Sequence, residues 1–258
     1  MIHTGALRVG VDLGTAYVVV TALDEAGDPV GIALEPAAVV KDGLVVDYLG
    51  AIDIVRALVR NLEEALGSRL LSCAVGLPPG TRRLDGGATV HVCEAAGLEV
   101  ERVVDEPSAA AALLGIGDGV VVDVGGGTTG ISVLQAGRVV YTADDPTGGT
   151  HFTLVIAGRF GIDFQEAERI KLTPEEQPRL FPILVPVMEK VARIVARHIS
   201  GHPAERVYLV GGAAAMQGFA DVMAQRLGMP VVVPPEPLLV TPLGIALHAR
   251  AGGVNGGA

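Results

Sequence analysis

The chain predicts an α/β protein of two similar half-domains, each a three-strand meander followed by parallel strands with helices on both faces. Three observations lead there. Arg8 to Val20 (RVGVDLGTAYVVV) and Val120 to Leu134 (VVVDVGGGTTGISVL) read almost as copies, each an apolar run ending in Asp, a Gly/Thr turn, and a second apolar run. Near-continuous Val, Leu and Ile runs such as LLSCAVGL and VYLV suit parallel strands buried on both faces. Apolar residues at helical spacing separate them, in the same order in both halves.

The first half-domain, 1–117, opens with strands near 7–12, 17–23 and 29–34, the last two joined by DEAGD with Gly27 suited to a hairpin loop. Ile54, Val55, Leu58, Val59, Leu62 and Leu66 form a helical stripe that Gly67 stops. LLSCAVGL is a buried strand, a helix covers roughly 86–96 up to Gly97, a short strand follows at 100–104, and Ser108 to Leu114 is Ala-rich helix. The second half-domain, 118–250, repeats this. Strands fall near 119–124, 129–134 and 138–143, helices across 150–200, a strand at Val207 to Val210, a helix to about 227, a strand at Val231 to Val233, and a final helix from Thr241. Pro178, Pro182 and Pro186 set the start of the amphipathic helix VMEKVARIVARHI, with Pro186 in its first turn. The glycine-rich stretch 251–258 reads as a flexible tail.

The 258 residues carry a formal net charge of -10 with no Trp and no Lys/Arg cluster, which argues against nucleic-acid binding. Half the residues are hydrophobic and 19% are charged, enough apolar material for two cores and for a partner-binding face. Two cysteines, Cys73 and Cys93, make neither a disulfide framework nor a thiolate metal site and read as buried free thiols in a reducing cytoplasm. No secretory leader opens the chain and no apolar run approaches the roughly 20 residues that span a bilayer, so a soluble cytoplasmic protein with no membrane partner is expected.

The chemistry concentrates in the glycines. Without a Cβ the backbone approaches phosphate oxygens closely, and successive N–H groups make an anion nest. Asp12-Leu13-Gly14-Thr15 and Asp123-Val124-Gly125-Gly126-Gly127-Thr128 both fit. One Asp-Gly turn closes any hairpin; two at the same place in repeated halves point to a shared cleft for a nucleotide triphosphate with a divalent metal. GGGTTG also satisfies G-x-G-x-x-G, but strand follows it where a dinucleotide fingerprint opens a helix. Strand Val207 to Val210 ends in Gly211-Gly212 before a small-residue helix, a step over which a flat ring could slide. The six histidines show no metal-ligand spacing and no serine sits in a nucleophile elbow.

Taken together these segments resemble the actin-like ATPase superfamily (ribonuclease H-like half-domains) that includes DnaK-type chaperones, MreB and FtsA. DLGT resembles its first phosphate motif, DVGGGT its second, VYLVGG its adenosine motif, and VDEPSAAA and TPLGIALHA its connecting helices. Within it, LPPGT, VDEPSAA, VVDVGGGTTGI and the TGG at Thr147 to Gly149 look like the EutJ-type ethanolamine-utilisation family.

The resemblance implies ATP and Mg as cofactors. Asp12 and Asp123 would hold the magnesium ion through water, Gly14, Thr15, Gly125, Gly126, Gly127 and Thr128 would meet the phosphates, and Glu106 would orient the attacking water. Gly148 and Gly149 would sit at the phosphate-ribose side, Glu168 and Lys171 at the ribose hydroxyls, and Gly211, Gly212 and Ala213 at the adenosine. It implies a chaperone or enzyme-reactivating switch with a protein client in ethanolamine breakdown or a bacterial microcompartment, and at most a slow ATPase. Filament assembly, a non-hydrolysing scaffold and a small-molecule kinase are the alternatives. The large inserted subdomains are lacking, and Gly130 stands where DnaK-type relatives carry an aspartate.

Overall fold

The computed structural model describes residues 5–41, 43–81 and 87–252. They divide into two compact units, Met1–Ile116 with Leu239–Ala258, and Gly117–Leu238. Arg82 and Arg83, and 253–258 of the expected tail, lie outside the described residues.

In the first unit, strands β1 (Arg8–Leu13), β2 (Tyr17–Leu23) and β3 (Pro29–Pro36) form the expected antiparallel meander. A small hairpin that the pattern did not announce follows, β4 (Val40–Lys41) and β5 (Leu44–Val45). Helix α1 (Tyr48–Leu66) starts where the Asp47 carboxylate accepts from Gly50 N–H, and it stops at Gly67, whose φ of 66° is left-handed. Strand β6 (Ser72–Leu77), helix α2 (Gly87–Ala96), strand β7 (Glu99–Asp105) and helix α3 (Glu106–Leu113) complete the run. The sheet order β3-β2-β1-β6-β7, with β1, β6 and β7 parallel, buries Val11, Val20, Val55, Leu62 and Val75.

The second unit repeats that order as β10-β9-β8-β11-β12. Its strands are β8 (Gly119–Val124), β9 (Thr129–Gln135), β10 (Arg138–Asp145), β11 (Val207–Val210) and β12 (Val231–Val232). Helices α4 (Gly149–Phe160), α5 (Phe164–Leu172), α6 (Gln177–Ile199) and α7 (Phe219–Leu227) surround a core that includes Val122, Ile131, Phe152, Met188 and Phe219.

Four expectations need correction. Helix α6 does not begin at Pro186; it begins at Gln177 and carries Pro182 and Pro186 inside it. An interior proline costs about 3 kcal/mol through its lost hydrogen bond and ring clash. Burial of Leu180, Leu184, Val187, Met188 and Val191 on one face offsets that cost. After Gly211 the chain makes a single 3-10 turn, Gly212–Ala215, before α7, because Gly218 takes a left-handed φ of 77° that no continuous helix accommodates. Helix α3 starts two residues ahead of Ser108 because the Asp105 carboxylate caps it. The last helix, α8 (Pro237–Leu247), starts ahead of Thr241 and encloses Pro242.

Most of α8 belongs to the first unit. A Cβ on Gly10 would stand 2.6 Å from Ala246 N, so β1 and α8 meet backbone to backbone. Thr21 Oγ1 donates to the Pro242 carbonyl at 2.9 Å, and Ile245 is buried with Ala74 and Ala109. Gly252 then pairs with Leu7.

Candidate functional site

In each sheet the central parallel strands end beside the Asp-Gly turn, the edge of an open α/β sheet where ligands bind. In the first unit Asp12 is the penultimate residue of β1, and Gly14 is folded so tightly that a Cβ there would stand 2.8 Å from the Tyr17 carbonyl oxygen. Thr15 lies in the same turn. β1 pairs with β6 through Gly10 with Ala74 and Val11 with Val75, so the register carried one residue further sets Asp12 beside Gly76. Glu106 opens α3 at the end of β7, and its Cγ lies 3.4 Å from where a Gly76 Cβ would be. A bare glycine thus separates the strand that carries Asp12 from the Glu106 side chain, and the helix N-terminus favours that charge.

The second unit builds a larger constellation. Asp123 on β8 is 7% exposed and packed so closely against Gly211 that a Cβ on that glycine would stand 2.3 Å from Asp123 Oδ1. Gly211 itself has φ 86° and donates to the Pro237 carbonyl. The turn is pinned by Gly125 N–H to Thr128 O at 3.0 Å. The segment Thr147 to Gly149 locks onto the turn. Gly149 N–H donates to Gly125 O and Thr150 N–H to Gly126 O, both at 2.8 Å, while Thr129 Oγ1 donates to Thr147 O at 2.5 Å. Gly148 leaves no room for a side chain between them. Gly148 and Gly149 therefore act as the bed of the turn, with the Gly149 amide spent on protein.

Lys171 and Glu168 are brought to the same place. Lys171 Nζ donates to Glu168 Oε2 at 2.7 Å, Thr153 Oγ1 at 2.9 Å and Gly149 O at 3.4 Å, so the ammonium's three protons have protein acceptors. Burial lowers the Lys171 pKa from its ordinary value, against the opposing pull of Glu168. Ala213 Cβ lies 3.7 Å from a Cβ placed on Gly149, which joins the Gly211, Gly212 and Ala213 step to the head of α4.

Two participants escaped sequence reasoning. Thr153 ties α4 to the Glu168 and Lys171 pair, accepting from the lysine and donating to Glu168 Oε2 at 2.5 Å, a relation between two helices that no spacing along the chain signals. Asp144, at the end of β10, has its pKa raised to about 6 by burial, with a Thr128 hydrogen bond opposing and Asp145 and Asp123 adding to the rise. No group of three or more His, Cys, Asp or Glu able to hold a metal occurs among the described residues. No helix among them is long and apolar enough to cross a membrane.

Comparison with known proteins follows the same lines. The family model of type IV pilus assembly protein PilM matches residues 87–237. Ethanolamine utilization protein EutJ of Salmonella typhimurium is 43% identical over 246 residues, covering 95% of this chain and 86% of that protein. The crystal structure of ethanolamine utilization protein EutJ from Carboxydothermus hydrogenoformans superposes with a TM-score of 0.90 at 52% identity, covering 93% of this chain and 89% of that one. MreB5 of Spiroplasma citri bound to ADP superposes with a TM-score of 0.75 at 17% identity over 94% of this chain and 95% of its own, a likeness of fold.

Proposed function

The chain belongs to the EutJ family of ethanolamine utilization proteins, with the PilM-type family signature running through residues 87–237, and from that premise we propose that it is a MgATP-binding switch protein of ethanolamine utilisation. One observation carries the reading: the glycine turn Gly125 to Thr128 is held on Gly148 and Gly149, with Asp123 wedged beside it against Gly211. Such a turn offers backbone N–H groups to phosphate and a carboxylate to a cation.

The chain's own groups fit a magnesium nucleotide on two counts. The turn is a cradle in which a Cβ at Gly148 or Gly211 would collide with backbone or with Asp123, and Asp144 Oδ1 is buried without a hydrogen-bond partner. Magnesium keeps several waters and takes only one or two carboxylates beside phosphate oxygens, so the scarcity of clustered ligands is compatible with it.

In this reading Asp123, Gly125, Gly126, Gly127 and Thr128 serve the metal and phosphates, and Asp12, Gly14 and Thr15 of the matching turn do the same. Gly211, Gly212 and Ala213 take the adenosine. Glu168 takes the ribose hydroxyls, and Lys171, whose protons are committed, positions Glu168. Glu106 orients water. Turnover is slow, because transition-state charge is met by backbone and metal without a dedicated lysine.

The biological role we propose is a cytoplasmic chaperone or reactivating factor for a protein client of the ethanolamine pathway or its microcompartment. The solved nucleotide complex of the MreB relative supports the nucleotide half, and the EutJ relatives support the pathway half. Calorimetric titration with ATP and magnesium tests it, beside an Asp12→Ala, Asp123→Ala double variant. Binding heat in the wild type that the double variant lacks is expected, and no heat at millimolar ATP overturns the reading.

A second reading, assembly of copies into filaments, draws on the edge strand β3, which exposes Ile32 and Leu34. Sedimentation with and without ATP separates the two, since large ATP-dependent particles favour assembly.

A further inference from the structure

The second sheet carries a row that reaches beyond the recognised turn. Asp123 on β8 lies directly opposite Gly130 on β9, and Gly130 lies directly opposite Asp144 on β10. Directly opposed residues send their side chains to the same face of a sheet, so this row sets two carboxylates on one face with a bare position between them. Strands spaced about 4.8 Å put the Asp123 and Asp144 backbones about 10 Å apart. Asp145, next along β10, points to the other face and pairs with Arg197 at 3.2 Å, so only Asp144 shares the face of Asp123.

The Thr128 side chain, at the end of the glycine turn, acts on Asp144 by opposing the rise in its pKa. Its Oδ1 remains buried with no partner. A buried carboxylate oxygen left unpaired is costly, and such groups in native proteins call for an unseen water or ion.

We propose that Asp144 is a second cation-facing carboxylate of the nucleotide site, holding with Asp123 the water shell of the magnesium ion across Gly130. This rests on the nucleotide reading above. The glycine is what makes it work: any side chain at 130 would stand between the two carboxylates. Magnesium's retained waters bridge a gap that direct coordination at 2.0–2.1 Å could not.

The test is nucleotide titration of the wild type and Asp144→Asn with ADP, in magnesium and in EDTA. The asparagine keeps the shape and removes the charge. We expect magnesium to tighten wild-type binding, and the variant to lose about tenfold of that enhancement while its affinity in EDTA and its melting temperature are kept. A variant that keeps the full enhancement overturns the inference and leaves the nucleotide reading standing. An equal loss in magnesium and in EDTA overturns it too, since that marks a structural role. A wild type that binds no nucleotide under either condition overturns both.

Discussion

A Cβ on Gly148 would stand 2.7 Å from the carbonyl oxygen of Gly125, so the phosphate turn and the segment that leads into α4 are in backbone contact with nothing between. Gly148→Ala must push them apart. Overpacking of this kind costs about 1–3 kcal/mol. We expect a lower melting temperature by differential scanning calorimetry and weakened ATP binding in the same variant, whereas Gly158→Ala, inside α4 with no atom within 4 Å of the added Cβ, should leave ATP binding unchanged and raise the melting temperature slightly, since alanine favours helix over glycine by up to about 1 kcal/mol.

Removing one partner of a buried ion pair leaves a desolvated charge behind. Lys171→Met leaves Glu168 Oε2 with the Thr153 hydroxyl as its remaining donor and should destabilise the protein by about 1–3 kcal/mol, read as a shift in the urea midpoint. The double variant Lys171→Met, Glu168→Gln should recover part of that loss. ATP affinity should fall in every variant that lacks the Glu168 carboxylate.

Glu106→Gln keeps the helix N-terminus and the contact over Gly76 but cannot accept a proton from water. Phosphate release should slow by about 10²-fold while nucleotide affinity is retained. An unchanged rate would take Glu106 out of the chemistry.

The pH response of the second unit is expected to involve His198. Its Nδ1 lies 2.8 Å from the Tyr141 hydroxyl, and its pKa is lowered by burial and by Arg197, with Asp145 opposing. The unfolded chain takes up the proton near the ordinary histidine pKa of about 6.5 while the folded one resists it, so stability present above that pH is lost as pH falls through it. His198→Asn should flatten the decline in melting temperature between pH 7 and pH 5.

The repeated Asp-Gly turns were legible because they are local: the residues that make each turn are also neighbours in the chain. The strands around them were legible for the same reason, through runs such as VVVDV and VYLV. The start of α6 was not, because Pro182 and Pro186 oppose helix locally and only burial of Leu180, Leu184 and Met188 against the second core overrules them. Asp144 was hidden differently. Its tie to Asp123 runs across two ladders through Gly130, a relation fixed by strand register that no spacing along the chain encodes. Glu168 and Lys171 could be paired from their i, i+3 spacing, but Thr153, which fixes both to α4, belongs to another helix.

Helix α8 closes the first sheet with residues translated after every strand of the second. Gly10 has its close neighbour in Ala246 and the Thr21 hydroxyl has its acceptor in Pro242, whereas every strand of the second sheet falls within one continuous stretch. A ribosome releasing this chain therefore delivers a complete second unit while the first, although translated earlier, still lacks its last helix. The order of maturation is the reverse of the order of translation, and truncation ahead of Pro237 is expected to spoil the amino-terminal sheet before the carboxyl-terminal one.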